Sequence, residues 1–160
     1  MPTPPIDAAI ADVHLLPPES RDGRLTGYQV FDPDDPHERN CGPFYCRDLG
    51  PDGLRFAFLA APHQCNSRGA LHGGLLMTFA DLVLAGTAVH GYPDEAAVTV
   101  SLTSNFTAAG TVGTLITGQA NVSRRTGSMC FLTAIITADD QTLLTCTAVM
   151  KRMIRSRLIG

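Results

Sequence analysis

The 160-residue chain has no surplus of positive charge, no CxxC motif and no apolar run clean enough to span a bilayer. Twelve Lys and Arg face fifteen Asp and Glu, a net charge of −3, so the basic footprint of a nucleic-acid-binding domain is missing. The opening MPTPPIDAAIADVHLL lacks both a basic n-region and a long apolar h-region, and a protein without a secretory signal, resident in the cytoplasm, is expected. Cysteines stand at 41, 46, 65, 130 and 146, an odd number that reads as reduced thiols in a cytosolic protein. Cys41 and Cys46, with His63 and Cys65 nearby, do not have the spacing of a standard zinc site, so no metal is expected. Internal repeats and low-complexity segments are also lacking.

What is present is concentrated in residues 65–91, CNSRGALHGGLLMTFADLVLAGTAVHG. His72-Gly73-Gly74 opens a run that is apolar almost to Val89, which predicts a buried helix about 25 Å long. Thr78 and Asp81 interrupt the run and no flanking charge pattern supports insertion, so a membrane span is excluded. His90-Gly91-Tyr92-Pro93 supplies the stop.

Asp81 is the ionisable residue inside that helix. A carboxylate in apolar surroundings costs several kcal/mol unless it is paired or neutralised. On its helical face, Thr78, Ala85, Gly74 and Ala88 are small and leave room for a ligand or a second helix. The pattern predicts a catalytic carboxylate in a pocket, its pKa raised by the apolar setting, set against a structural Asp bonded to nearby backbone. At the helix start, unpaired N–H groups lie at the positive end of the dipole, and Gly73 and Gly74 let a carbonyl approach them. That combination suits an oxyanion site.

Gly73 and Asp81 are eight residues apart, about 12 Å along a helix, whereas a reacting carbonyl and its attacker sit roughly 3–3.5 Å apart. One helix therefore does not supply both groups to one substrate. Pairing Gly73 of one subunit with Asp81 of another across a two-fold axis does, and predicts a homodimer with shared active sites, or a dimer of dimers.

Residues 1–40 are rich in Pro and acidic groups and are expected to form an N-terminal appendage, with one short amphipathic helix over residues 5–16; the domain proper is expected over 41–160. FYCRDL, the turn GPDG and LRFAFLA predict a β-hairpin. After the helix come four period-two segments, AVTVSLTSNFT, TLITGQANVSRR, SMCFLTAIITA and TLLTCTAVMKRM, which predict an antiparallel meander. In the first of these, Val98, Val100, Leu102 and Phe106 are expected on one face and Thr99, Ser101, Thr103 and Asn105 on the other. The fold class is α+β, an antiparallel sheet wrapped around one helix.

This order of elements, with N-x5-HGG-x7-D running from Asn66 through His72-Gly73-Gly74 to Asp81, resembles the hotdog-fold acyl-CoA thioesterases of the phenylacetic-acid-pathway (PaaI-like) type over roughly residues 41–152. The resemblance implies hydrolysis of an acyl-CoA, with coenzyme A entering as part of the substrate and no separate cofactor. It implies that Asp81 activates water or attacks the thioester, that Gly73 N–H binds the thioester oxygen, and that Asn66 holds the water or the leaving-group region. His72 would orient the loop, and Thr99 would help position water. Arg124, Arg125, Gly127 and Ser128, in the turn RRTGS, would contact the nucleotide end. Lys151, Arg152, Arg155 and Arg157 form a basic tail that reads as a solvated edge or as further phosphate contacts. Gly74 and Met77, with Phe79 and Leu84, are expected near the acyl group. Two alternatives remain on the same fold: an enoyl-thioester hydratase or dehydratase using His72, and a non-catalytic acyl-CoA-binding module.

Overall fold

A computed structural model describes residues 22–157; the helix expected over 5–16 lies outside the described residues. The elements are β1 (Gln29–Val30), α1 (Pro36–Cys41), β2 (Tyr45–Asp48), β3 (Leu54–Leu59), α2 (Gly73–Val89), β4 (Glu95–Phe106), β5 (Leu115–Arg125), β6 (Met129–Ala138) and β7 (Gln141–Ile154). The strands form one antiparallel sheet in the order β1-β2-β3-β5-β6-β7-β4, and α2 packs across it.

Helix α2 runs where the glycine pair and the His-Gly stop place it. His72 is its N-cap and Gly91, at φ 81°, turns the chain away just beyond its end. Most of its circumference is buried, including Leu75, Leu76, Phe79, Val83 and Leu84. Phe79 packs edge-on against Phe58 at 4.8 Å between ring centres and, at a tilt of 38°, against Phe44 at 5.5 Å. The close approach of helix to sheet needs Gly118 on β5, where a Cβ would come within 2.7 Å of Val83 and 2.8 Å of Ile136. What stays partly open is a stripe through Thr78, Asp81 and Ala85, flanked by Met77. Phe79 and Leu84 are fully buried in the core, away from that stripe, so the expectation that they flank the acyl group is corrected.

Two features depart from the expected meander. The segments β5, β6 and β7 are consecutive neighbours, but β4 pairs with β7 and lies at the far edge. Its connection to β5 runs back past the loop before α2, where Leu71 N–H donates to Gly110 O at 2.9 Å. The second departure is a bulge: Thr99 pairs with Met150 and Ser101 with Val149, leaving Val100 unmatched. The extra residue inverts the phase of the strand. Thr99 and Leu102 both face the helix side, whereas Ser101, Thr103 and Asn105 turn to the outer face.

The described part of the first forty residues is packed onto the domain. Leu25 and Tyr28 are buried beneath it with Tyr45 and Ala57, and β1 extends the sheet beside β2. Phe31 reaches α2 itself, its ring lying where a side chain at Gly86 would be. Asp35 N-caps α1 by accepting from Glu38 N–H at 2.8 Å.

Candidate active site

The start of α2 presents one free donor. The His72 side chain accepts the Gly74 N–H at 3.0 Å through Nδ1, which places the ring proton on Nε2. His72 O accepts from Leu75 and Leu76. No described residue accepts from the Gly73 N–H. Of the two glycine amides, that of Gly74 is taken by His72 and that of Gly73 is the one left unpaired. Gly74 contributes an absence instead, since a Cβ there would sit 3.0 Å from the His72 ring.

Asp81 lies two turns further on and is half-buried rather than enclosed by apolar side chains. Its Oδ1 accepts the Thr99 hydroxyl at 2.5 Å, and this bond exists because the bulge turns Thr99 toward the helix. Asp81, Thr78 and Met77 line a groove of about 640 Å³ with Ala97 and Leu102 of β4. Thr78 donates to Gly74 O at 3.2 Å, and His37 Nε2 of α1 stands 3.3 Å from the same hydroxyl.

Asn66 is placed on the loop before α2, with its oxygen already engaged. Oδ1 accepts from Arg68 N–H at 2.9 Å and Ala70 N–H at 3.3 Å, an Asx turn that shapes the loop and leaves the side-chain NH2 free. A neighbouring side chain missed from sequence, Gln64, anchors that loop. It is 5% exposed, accepts from Ala61 N–H and donates to Cys41 O at 2.7 Å, tying the loop to the end of α1.

The RRTGS turn divides in two. Arg125 donates to Ala88 O at 2.6 Å and stacks on Tyr92, whose ring also carries Arg152. Arg152 is paired with Glu95 at 2.9 Å and donates to Thr126 O. Arg125 thus fastens the C-terminal end of α2 and Arg152 the turn beside it, both engaged with protein groups, whereas Arg124, Gly127 and Ser128 are exposed. Of the rest of the basic tail, Lys151 lies in β7, Arg155 lines the groove, and Arg157 ends a closing turn. Among the described residues, no three His, Cys, Asp or Glu side chains converge as metal ligands, and no helix is long and apolar enough to cross a membrane.

The groove also holds a carboxyl group that sequence reasoning missed. Glu38 of α1 lines the same wall, half-buried, with its pKa pushed up from 4.5 to about 8 by burial first and then by Asp35, Asp32 and Asp81. Its signal in the sequence was weak, an acid among other acids in a Pro-rich stretch. The folded protein keeps a proton that the unfolded chain loses between pH 4.5 and 8. This contribution to stability is therefore complete at low pH and is lost as pH rises through that window. Glu38→Gln is expected to match the wild type near pH 4 and to exceed it by about 1–2 kcal/mol near pH 9, after discounting for solvent screening at a half-exposed group. Urea unfolding at the two pH values measures the difference; parallel curves would remove Glu38 as its source.

A long helix against one face of a seven-stranded antiparallel sheet, with a half-buried carboxylate beside a groove, is the architecture of a hotdog-fold protein. The pattern of the thioesterase superfamily matches residues 68–145. The chain is 30% identical over 109 residues to the Pseudomonas aeruginosa protein named "Putative esterase PA0474", an alignment covering 68% of this chain and 81% of that one. This chain belongs to the thioesterase superfamily. Among solved structures it is similar in fold to the Escherichia coli PaaI protein from the phenylacetic acid degradation operon (TM-score 0.66, 17% identity, 75% of this chain and 86% of that one). It is also similar to a hypothetical thioesterase of Streptococcus pneumoniae TIGR4 solved with coenzyme A (TM-score 0.62, 17% identity, 69% and 89%).

Proposed function

We propose that this protein hydrolyses the thioester of an acyl-CoA, and that Asp81 drives the attack of water while the Gly73 N–H receives the oxyanion. The observation that carries the reading is the Asp81 carboxylate, held by Thr99 and open to a groove whose near walls are Met77, Ala97 and Leu102. A carboxylate so placed serves as general base or as nucleophile. An apolar wall of this size suits an aryl or a short to medium aliphatic acyl group. Arg124, Gly127 and Ser128 are the members of the RRTGS turn left for the phosphates of coenzyme A. Five thiols without a disulfide fit a cytoplasmic setting.

The active unit is a homodimer in this reading. The free Gly73 donor and Asp81 stand about 12 Å apart along one helix, too far to share a carbonyl. Strand β4 leaves one long edge of the sheet unpaired, with Val98, Val100 and Phe106 about half exposed, a surface that invites a second copy. The hydratase alternative asks His72 to move protons, yet its Nδ1 is already committed to capping α2. Incubation with a panel of acyl- and aryl-CoAs, followed by thiol release, tests the function. Free thiol is expected from at least one member; an enoyl absorbance change without thiol would point to hydration instead, and saturable binding without either would point to a non-catalytic module.

A further inference from the structure

The helix that carries Asp81 offers no second acid, but the groove does. Glu38 stands on α1, which is held against α2 and its preceding loop by two contacts of its own and one from the segment before it. Phe31 lies against Gly86, the His37 ring meets the Thr78 hydroxyl, and Gln64 grips Cys41 O. The Glu38 carboxyl makes no hydrogen bond with any described residue and lines the groove that also holds Asp81. Around it are Asp35 and His37 of its own segment, Asp32 from the preceding turn, Asp81 from α2, Cys41 one turn on and Arg155 from beyond β7. Arg155 donates instead to Glu95 O.

We infer that Glu38 is the second carboxyl of this site, delivering a proton to the sulfur as it departs while Asp81 takes one from the attacking water. The inference rests on the hydrolase reading above. A protonated carboxyl that shares a cleft with a catalytic carboxylate can take the acid role while the other takes the base role. Burial and three neighbouring carboxylates keep the proton on Glu38 at neutral pH. As the water oxygen bonds to the carbonyl carbon, its proton passes to Asp81. The oxyanion then collapses, the C–S bond breaks with its electron pair on sulfur, and Glu38 protonates that sulfur. The proton on Asp81 returns to Glu38 through solvent, so one water is consumed and a free acid and a free thiol are formed. A short helix outside the superfamily match at 68–145 thus completes the chemistry of the long one.

A pair of substrates with the same acyl group tests this. One is the acyl-CoA, an alkyl thioester; the other is the corresponding nitrophenyl thioester, whose thiolate leaves without needing a proton. Glu38→Gln is expected to lower turnover of the acyl-CoA by about 100-fold and to leave the aryl thioester within about threefold of wild type. In the wild type, turnover of the acyl-CoA is expected to fall as pH rises past about 8, with that limb missing for the aryl thioester and in the variant. Equal losses on both substrates would show a structural role and overturn the inference, as would no loss on the acyl-CoA. Thiol release from neither substrate by the wild type would instead overturn the hydrolase reading itself.

Discussion

Asp81→Asn is expected to lose at least about two orders of magnitude in turnover while remaining folded, the scale set by removal of a general base. The amide has the shape of the carboxylate, and its oxygen still accepts the Thr99 hydroxyl that now bonds Oδ1. The groove walls are untouched, because Met77, Ala97 and Leu102 approach from other elements or other turns. What is lost is the charge and the proton acceptor. Thiol release under saturating substrate, alongside circular dichroism and gel filtration, reads the result. Unchanged turnover in a folded variant would remove Asp81 from the mechanism, and with it the acid role inferred for Glu38.

The companion prediction concerns the donor. Gly73 is the first residue of α2, where proline is well tolerated in helices and where a missing N–H breaks no helical bond. His72 before it has φ −67° and ψ 132°, the extended geometry that a following proline demands. A Cβ at 73 meets the Phe106 ring at 3.5 Å, an ordinary contact. Gly73→Pro therefore deletes one N–H at little structural cost, and turnover is expected to fall about 100- to 1,000-fold, the range for loss of an oxyanion donor. Co-assembly with Asp81→Asn then tests the sharing of sites. A mixed dimer pairs the intact Gly73 of one chain with the intact Asp81 of the other, so random mixing of two inactive variants is expected to restore about a quarter of wild-type activity. A mixture as inactive as its components would place both groups of each site on one chain.

These expectations draw on parts of the molecule that differ in how visible they are in the residue string. The central helix was legible to its ends, because a capping residue, two glycines and a closing His-Gly are local signals. Strand alternation over 115–154 was equally plain, since a sheet with one covered face must repeat every two residues. Within the site, the string shows that Gly73 opens the helix and that Asp81 lies two turns along it, but not that Asp81 is left half-exposed at a groove.

Other features depend on partners far away in sequence. The place of β4 at the sheet edge follows from pairing with β7 some fifty residues later, a choice that its own alternation does not encode. The bulge at Val100 is a mismatch between two strands and has no meaning in one of them, yet it decides that Thr99 reaches Asp81. Arg125 reads in the string as one of a basic pair at a turn, and the fold sets Ala88 O and the Tyr92 ring beside it. Glu38 lies 43 positions before Asp81, in a stretch whose Pro and acidic content reads as an appendage, and contact with α2 gives it a different character. Periodicity and capping are encoded in neighbours along the chain, so the string carries them. The surroundings of a titratable group are a sum over everything folded against it, and those become known when the distant pieces are in place.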